Sequence, residues 1–181
     1  YEKYRLELAL QTLHSLLELI SHARLIVTGN LWRPAHQAQE WTARALKEMG
    51  LADHVEFVGG YTQAEAPYLY SRAHMLIHTK YADPCPGLVI EALGCGLPVV
   101  HVGNGGVPEL VEDAGISVPV EHSWEQINLP EPQEMAEAVL QVYGDMEHYS
   151  GVARQQAHKF ALDKFIARHK EVFEKVLGSK P

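Results

Sequence analysis

Asp83 and Glu91 are the two carboxylates of the stretch DPCPGLVIEALGCGLPVV, residues 83–100, which otherwise holds only apolar residues, prolines, cysteines and glycines. Asp83 precedes Pro84 and Cys85 precedes Pro86, and a residue before proline is pushed out of helical geometry. A helix is therefore expected to start near Pro86 or Gly87, with Pro86 suited to a first turn, where its missing N–H costs nothing. Glu91 then lies about one turn inside. With about 1.5 Å of rise per helical residue and an extended lead-in, the two carboxyls stand on the order of 10 Å apart. That is at or beyond the far end of the range in which two carboxylates serve one scissile bond, and it suits the two ends of an elongated ligand. The helix N-terminus between them offers unpaired N–H groups and partial positive charge to a phosphate, and Gly87 lets a ligand approach the backbone closely. Each carboxylate can accept two hydrogen bonds from a vicinal diol. A ligand with hydroxyl-rich ends and phosphate in the middle, a nucleotide sugar, meets these requirements. Spacing alone leaves plainer readings open, since an Asp before a Pro is a common turn residue and a Glu on a helix commonly faces solvent.

The elements that must hold these residues follow from periodicity. Leu6, Leu10, Leu13, Leu17 and Ile20 fall on one stripe of an opening helix. Arg24–Thr28 reads as a short buried strand stopped by Gly29, and Pro34 opens a helix that runs to Met49 and ends at Gly50. Val55–Gly60 is the next strand, Thr62 with Glu65 forms a capping box for a helix through Arg72, and His74–His78 is a third strand. After the acidic stretch come a fourth strand over Pro98–Val102, a short helix from NGGVPEL, and a fifth strand over Gly115–Val118. Val120–Pro132 lacks periodicity and reads as a loop. Helices are expected over Glu134–Tyr143, Asp145–His158 and Leu162–Leu177, the last with Phe165, His169, Val172 and Val176 on one stripe. Short strands that are apolar on both faces and alternate with helices predict an α/β fold, a Rossmann-like parallel sheet with helices on both faces. The site then falls at the carboxyl end of a strand, where such folds bind ligands.

Composition narrows the field. The chain has 181 residues, 46% hydrophobic and 21% charged, enough for one domain with its own core, or one domain plus an extension. It contains no apolar run of about 18 residues of the kind that spans a membrane. It opens at Tyr1 without an initiator Met or a basic-then-apolar leader, and so reads as an excised domain of a longer protein. The net charge of −8 argues against sequence-independent nucleic-acid binding, which needs clustered Lys and Arg. Cys85 and Cys95 are too few for a disulfide scaffold and match no zinc spacing, which suits a reducing, cytoplasmic setting. The eleven histidines are scattered and form no metal-ligand pattern. No resident cofactor or metal is expected.

The stretch from Asp83 to Val100, followed by GGVPE at Gly105–Glu109, resembles the signature of the retaining "group 1" glycosyltransferases of the GT-B fold: two acidic residues separated by seven, then Ala, a small residue, Gly-x-Pro-Val and Gly-Gly-x-Pro-Glu. ARLIVTGN, VEFVGGYTQAEAPYLYSRAHMLIHT and LVEDAGISV resemble the surrounding pieces of that family. The resemblance spans nearly the whole chain. It implies the C-terminal half of a GT-B fold, a Rossmann-like donor-binding domain over residues 1–160 and a helix over 161–181 that crosses back to an N-terminal domain not included in this chain. It implies that Glu91 binds the ribose hydroxyls of a nucleotide-sugar donor, that Asp83 reaches the donor sugar as the catalytic acid of the pair, and that backbone around Gly87 and Leu88 meets sugar and diphosphate without a metal. Lys80, in the TK pair before the motif, is a further candidate for phosphate, or a solvated side chain. The resemblance also implies that the acceptor, a glycan, lipid-linked or small molecule, binds the N-terminal half, through which the whole protein would attach peripherally to a membrane.

The sequence departs from the family pattern at several positions. The first acid, usually Glu, is Asp83, one methylene shorter. Cys85 and Pro86 stand where the family often has Phe-Gly, and Pro86 removes an amide at the donor. The family's diphosphate-binding Lys falls near Tyr4, flanked by Lys3 and Arg5. Other readings are a different GT-B-type enzyme, such as a sugar-nucleotide epimerase or a phosphorylase, whose pyridoxal-binding lysine has no motif here, and a non-catalytic nucleotide-sugar-binding module.

Overall fold

The computed structural model describes residues 3–32 and 34–178. Five short apolar runs become five strands: β1 Leu25–Thr28, β2 Val55–Gly59, β3 Leu76–His78, β4 Val99–Gly103 and β5 Gly115–Pro119. Every pairing is parallel, as expected when a helix follows each strand. The helices are α1 Lys3–Leu17, α2 Ala35–Glu48, α3 Ala66–Ser71, α4 Gly87–Gly94, α5 Val107–Val111, α6 Pro132–Gly144, α7 Met146–Ala157 and α8 Leu162–Gly178, with a 3-10 turn over His158–Phe160 before α8.

Alternation along β4 shows how the layers are built. Val100 and Val102 face α1 and α6, packing with Leu8, Leu16, Met135 and Val139. Val99 faces the opposite way, into Val89 and Leu93 of α4, Val107 and Val111 of α5, and Ala153 of α7. Successive strand side chains point to opposite faces, so a strand of consecutive valines is buried on both. Helices therefore cover both faces, as the sequence predicts. A further cluster ties Leu6, Leu10 and Leu13 of α1 to Leu25 and Val27 of β1 and to Trp41 of α2.

The single sheet of the sequence reading is divided. β1 pairs with β2, and β3, β4 and β5 form a second sheet in that order. Among the described residues no ladder joins β1 to β3. Between their facing edges lies a cavity of about 660 Å³, lined by Leu25, Ile26 and Thr28 on one side and Leu76 and Ile77 on the other. All four residues of β1 are consequently only half-buried.

Two boundaries differ from expectation for local reasons. The opening helix ends at Leu17, because the amides of Leu19 and Ile20 both turn back onto the Leu16 carbonyl, so Ile20 lies outside it. The capping box at Thr62 is half formed. The Thr62 amide and hydroxyl both donate to the Glu65 carboxylate at 2.8 and 2.7 Å, so the hydroxyl caps no amide and α3 begins only at Ala66. α4 begins at Gly87, as the prolines predict, with Pro86 at its N-cap (φ −74°, ψ 116°) rather than in the first turn itself. α8 buries none of its side chains; residues 179–181 of the expected C-terminal extension lie outside the described residues. No helix among the described residues is long and apolar enough to cross a membrane.

Candidate functional site

The prolines shape the approach to α4. The helix begins at Gly87, directly after the extended Pro86, and no side chain caps its first amides. The Val89 amide turns back to the Pro86 carbonyl at 3.1 Å, and the space beside the Gly87 Cα is open. The start of α4 thus leaves the backbone N–H groups of Gly87 and Leu88 without a side-chain cap, and a helix N-terminus of this kind is suited to phosphate.

Asp83 sits at the foot of this helix with a side chain 12% exposed. Both of its carboxylate oxygens are engaged. His78, the last residue of β3, places Nε2 3.3 Å from Oδ2, and Lys80 places Nζ 3.3 Å from Oδ1. Lys80, expected either on phosphate or in solvent, is therefore drawn onto Asp83. His78 lies in register with His101 of β4, and both imidazoles are buried. Burial lowers the pKa of His78 to about 4; Asp83 acts against that shift, while the neighbouring Arg5 and His101 add to it. Burial also lowers the pKa of His101, opposed by its bond to the Val102 carbonyl.

The backbone around Asp83 is fixed from two sides. The Thr79 hydroxyl donates to the Arg5 carbonyl at 2.9 Å, and the Tyr81 amide to the Tyr4 hydroxyl at 3.2 Å. The first turn of α1, where the resemblance placed a diphosphate cation, thus lies against the segment entering the site. On the other side the Gly106 amide donates to the Asp83 carbonyl at 2.9 Å. Gly105 adopts φ +72°, and a methyl group there would stand 2.6 Å from that same carbonyl oxygen. The Gly-Gly pair is what lets the loop after β4 close onto the loop after β3.

Glu91 is half-buried one turn into α4, as predicted. It accepts a hydrogen bond at Oε2 from the Tyr70 hydroxyl at 2.9 Å, and the Tyr61 hydroxyl lies 3.2 Å from that of Tyr70. Tyr61, Tyr70 and Leu88 also line the cavity between β1 and β3, which therefore opens beside the site. Both cysteines are free and exposed. Burial and the charge of Glu91 raise the pKa of the Cys95 thiol.

His78, Tyr61 and Tyr70 were not singled out in the sequence. His78 reads there as one more strand residue, and only the pairing of β3 with β4 and the turn after it bring its ring to Asp83. Tyr70 falls on the apolar stripe of a short helix and carries no signal that its hydroxyl meets residue 91. No group of three His, Cys, Asp or Glu side chains that could hold a metal ion occurs among the described residues.

The family model described as glycosyl transferases group 1 matches residues 1–145. Over 86 residues, 41% of this chain, the sequence is 36% identical to the GDP-mannose-dependent α-(1-6)-phosphatidylinositol monomannoside mannosyltransferase of Mycolicibacterium smegmatis. Over 134 residues, 71% of the chain, it is 27% identical to the D-inositol 3-phosphate glycosyltransferase of Streptomyces bingchenggensis. The matched segments span 21% and 28% of the length of those two relatives. Among solved structures, the pneumococcal O-GlcNAc transferase GtfA in complex with UDP and GlcNAc aligns over 95% of this chain and 33% of its own, with a TM-score of 0.76 at 16% identity. Anabaena HepE in complex with UDP aligns over 91% of this chain and 44% of its own, with a TM-score of 0.67 at 23% identity. The fold is the Rossmann-like fold of a GT-B half, and the chain belongs to the group 1 glycosyl transferases.

Proposed function

We propose that this chain is the donor-binding half of a retaining glycosyltransferase, and that it binds a nucleotide-diphosphate sugar between Asp83 and Glu91. In this reading the uncapped amides of Gly87 and Leu88 receive the diphosphate, Glu91 accepts hydrogen bonds from the ribose hydroxyls, and Asp83 reaches the sugar. The observation that carries it is the start of α4. Its first amides have no side-chain cap, and the two acids flank them, Asp83 at the foot and Glu91 one turn in. Negative charge that develops on a departing diphosphate would be stabilised by those same fixed amides. UDP in the HepE and GtfA structures, and the GDP-mannose dependence of the mycobacterial relative, support a nucleotide-sugar donor without naming its base. The acceptor belongs to an N-terminal half outside this chain, toward which the apolar stripe of α8 would turn. Binding requires no metal ion.

One observation favours a second reading. Both oxygens of Asp83 already have partners, which suits an acid that shapes the loop in a module that binds nucleotide sugars without transferring them. Calorimetry with UDP, GDP, UDP-glucose and GDP-mannose in the presence of EDTA separates the two. Glu91→Gln should weaken nucleoside-diphosphate binding about tenfold or more, since a hydrogen bond to a charged group contributes about 1.5–3 kcal/mol. Asp83→Asn should leave the nucleoside diphosphate nearly untouched and weaken the corresponding nucleotide sugar. Equal losses for both ligands would assign Asp83 to the turn alone. Unchanged nucleotide affinity in Glu91→Gln would remove the ribose assignment, and a strict need for magnesium or manganese would point to another class of transferase.

A further inference from the structure

We propose that Tyr70 is a positioning residue that fixes the ribose-binding carboxylate of Glu91, and that Tyr61 in turn fixes Tyr70; this rests on the reading of Glu91 given above. Tyr70 is 7% exposed, and its ring packs with Ala92 and Leu97, beside the helix that carries Glu91. Tyr61 meets it edge-on, with ring centroids 6.4 Å apart and planes at 81°. A phenol has one proton and an ionised carboxylate only accepts. The Tyr70 proton therefore goes to Glu91 Oε2, and the 3.2 Å contact between the two hydroxyls is filled by the Tyr61 proton. The order along the chain is Tyr61 to Tyr70 to Glu91. Burial, together with these same bonds, raises the pKa of Tyr70 far above its ordinary value, so the hydroxyl stays a donor across the working pH range.

This order has a consequence for the carboxylate. Oε2 is held from the side of α3, while Oε1 has no protein partner among the described residues. A glutamate one turn into a helix has three side-chain torsions to settle. The buried donor selects an orientation before any ligand arrives, which lowers the ordering cost that a diol would otherwise meet on binding. Tyr61 leaves β2 through the Gly59–Gly60 turn and Tyr70 lies in α3, so two elements outside the acidic motif determine how its second acid is presented.

The test is a binding comparison with nucleotides that differ only at the ribose. The chain and its Tyr70→Phe and Tyr61→Phe variants would be titrated with UDP and GDP, and with the 2′,3′-dideoxy forms of each. Tyr70→Phe should lose about fivefold in affinity for the ribose nucleotide, the ordering cost of one side chain that the buried donor otherwise spares, and almost nothing for the dideoxy form. Tyr61→Phe should show a smaller loss in the same direction. Because the Tyr61 hydroxyl is only half-buried, this variant answers the question even if Tyr70→Phe fails to fold. Equal changes for ribose and dideoxy ligands, or none for either, while Glu91→Gln removes the preference for ribose, would make the tyrosines packing residues and overturn the proposal. Retention of that preference in Glu91→Gln would instead overturn the assignment of Glu91 itself, and no preference in the parent chain would overturn both.

Discussion

His78 makes the proton balance of the site testable. Its ring is 1% exposed and carries no charge at neutral pH, because burial lowers its pKa to about 4. In the unfolded chain the same imidazole titrates near 6.5. Between pH 4 and 6.5 the unfolded state therefore binds a proton that the folded state does not, and linkage makes stability rise with pH across that window. The contribution is complete above pH 6.5 and is lost as pH falls toward 4. His101, shifted in the same direction, adds to it. Urea unfolding between pH 4.5 and 7.5 should show stability rising by on the order of 1 kcal/mol per pH unit from this residue. His78→Gln keeps a donor for Asp83 without titrating and should flatten the curve, whereas an unchanged slope would mean that the acid sensitivity lies elsewhere.

The candidate site is assembled at the ends of three elements, and its weakest tolerance is in the connection after β4. Gly105 has φ +72° and nowhere to place a methyl group, whereas Gly151, inside α7, has nothing within 4 Å of that position. Gly105→Ala should destabilise the chain by about 1–3 kcal/mol, the usual cost of a side chain forced into that backbone region. It should also blunt any preference for the nucleotide sugar over the nucleoside diphosphate, because the loop it displaces holds the Asp83 backbone. Gly151→Ala should stabilise by up to about 1 kcal/mol, the helix preference of alanine over glycine. Denaturant unfolding of the pair checks both, and equal behaviour of the two variants would contradict the packing of the Gly-Gly turn against residues 82–84.

At the scale of the whole molecule, the chain's share of its relatives bears on what it can do alone. It covers less than a third of the two curated relatives compared. α8 holds Leu162, Phe165, Ile166, Val172, Phe173, Val176 and Leu177 exposed on one stripe. Catalysis by positioning needs both reactants in one cleft, so the chain by itself should bind a donor and transfer no sugar. Affinity should be weak, because each 1.4 kcal/mol or so of missing contact is a factor of ten. The check is a mixing experiment with UDP-glucose or GDP-mannose and a panel of acceptors, with and without an N-terminal half supplied as a separate polypeptide. Robust transfer by the chain alone would show that the activity does not depend on a second half.

What the amino-acid order determined is what depends on near neighbours. Apolar runs of four or five residues, punctuated by Gly29, Gly50 and the prolines, place all five strands in order, since pleat and period need no distant partner. The helices from α6 to α8 follow from the same spacing, and Pro84 with Pro86 is enough to predict where α4 begins and that Glu91 lies one turn in. What only the tertiary structure decided depends on which elements meet. The gap between β1 and β3 is a matter of which backbone edges are hydrogen-bonded, and no residue in either strand records it. The hold of Tyr70 on Glu91 joins residues 21 positions apart, and the contact of Thr79 with Arg5 joins residues 74 apart. Even the His78–Asp83 contact, across five residues, depends on a turn that the Gly105–Gly106 pair closes from another loop. The acids that define the candidate site are thus legible in sequence, while the groups that orient them are chosen by packing between elements.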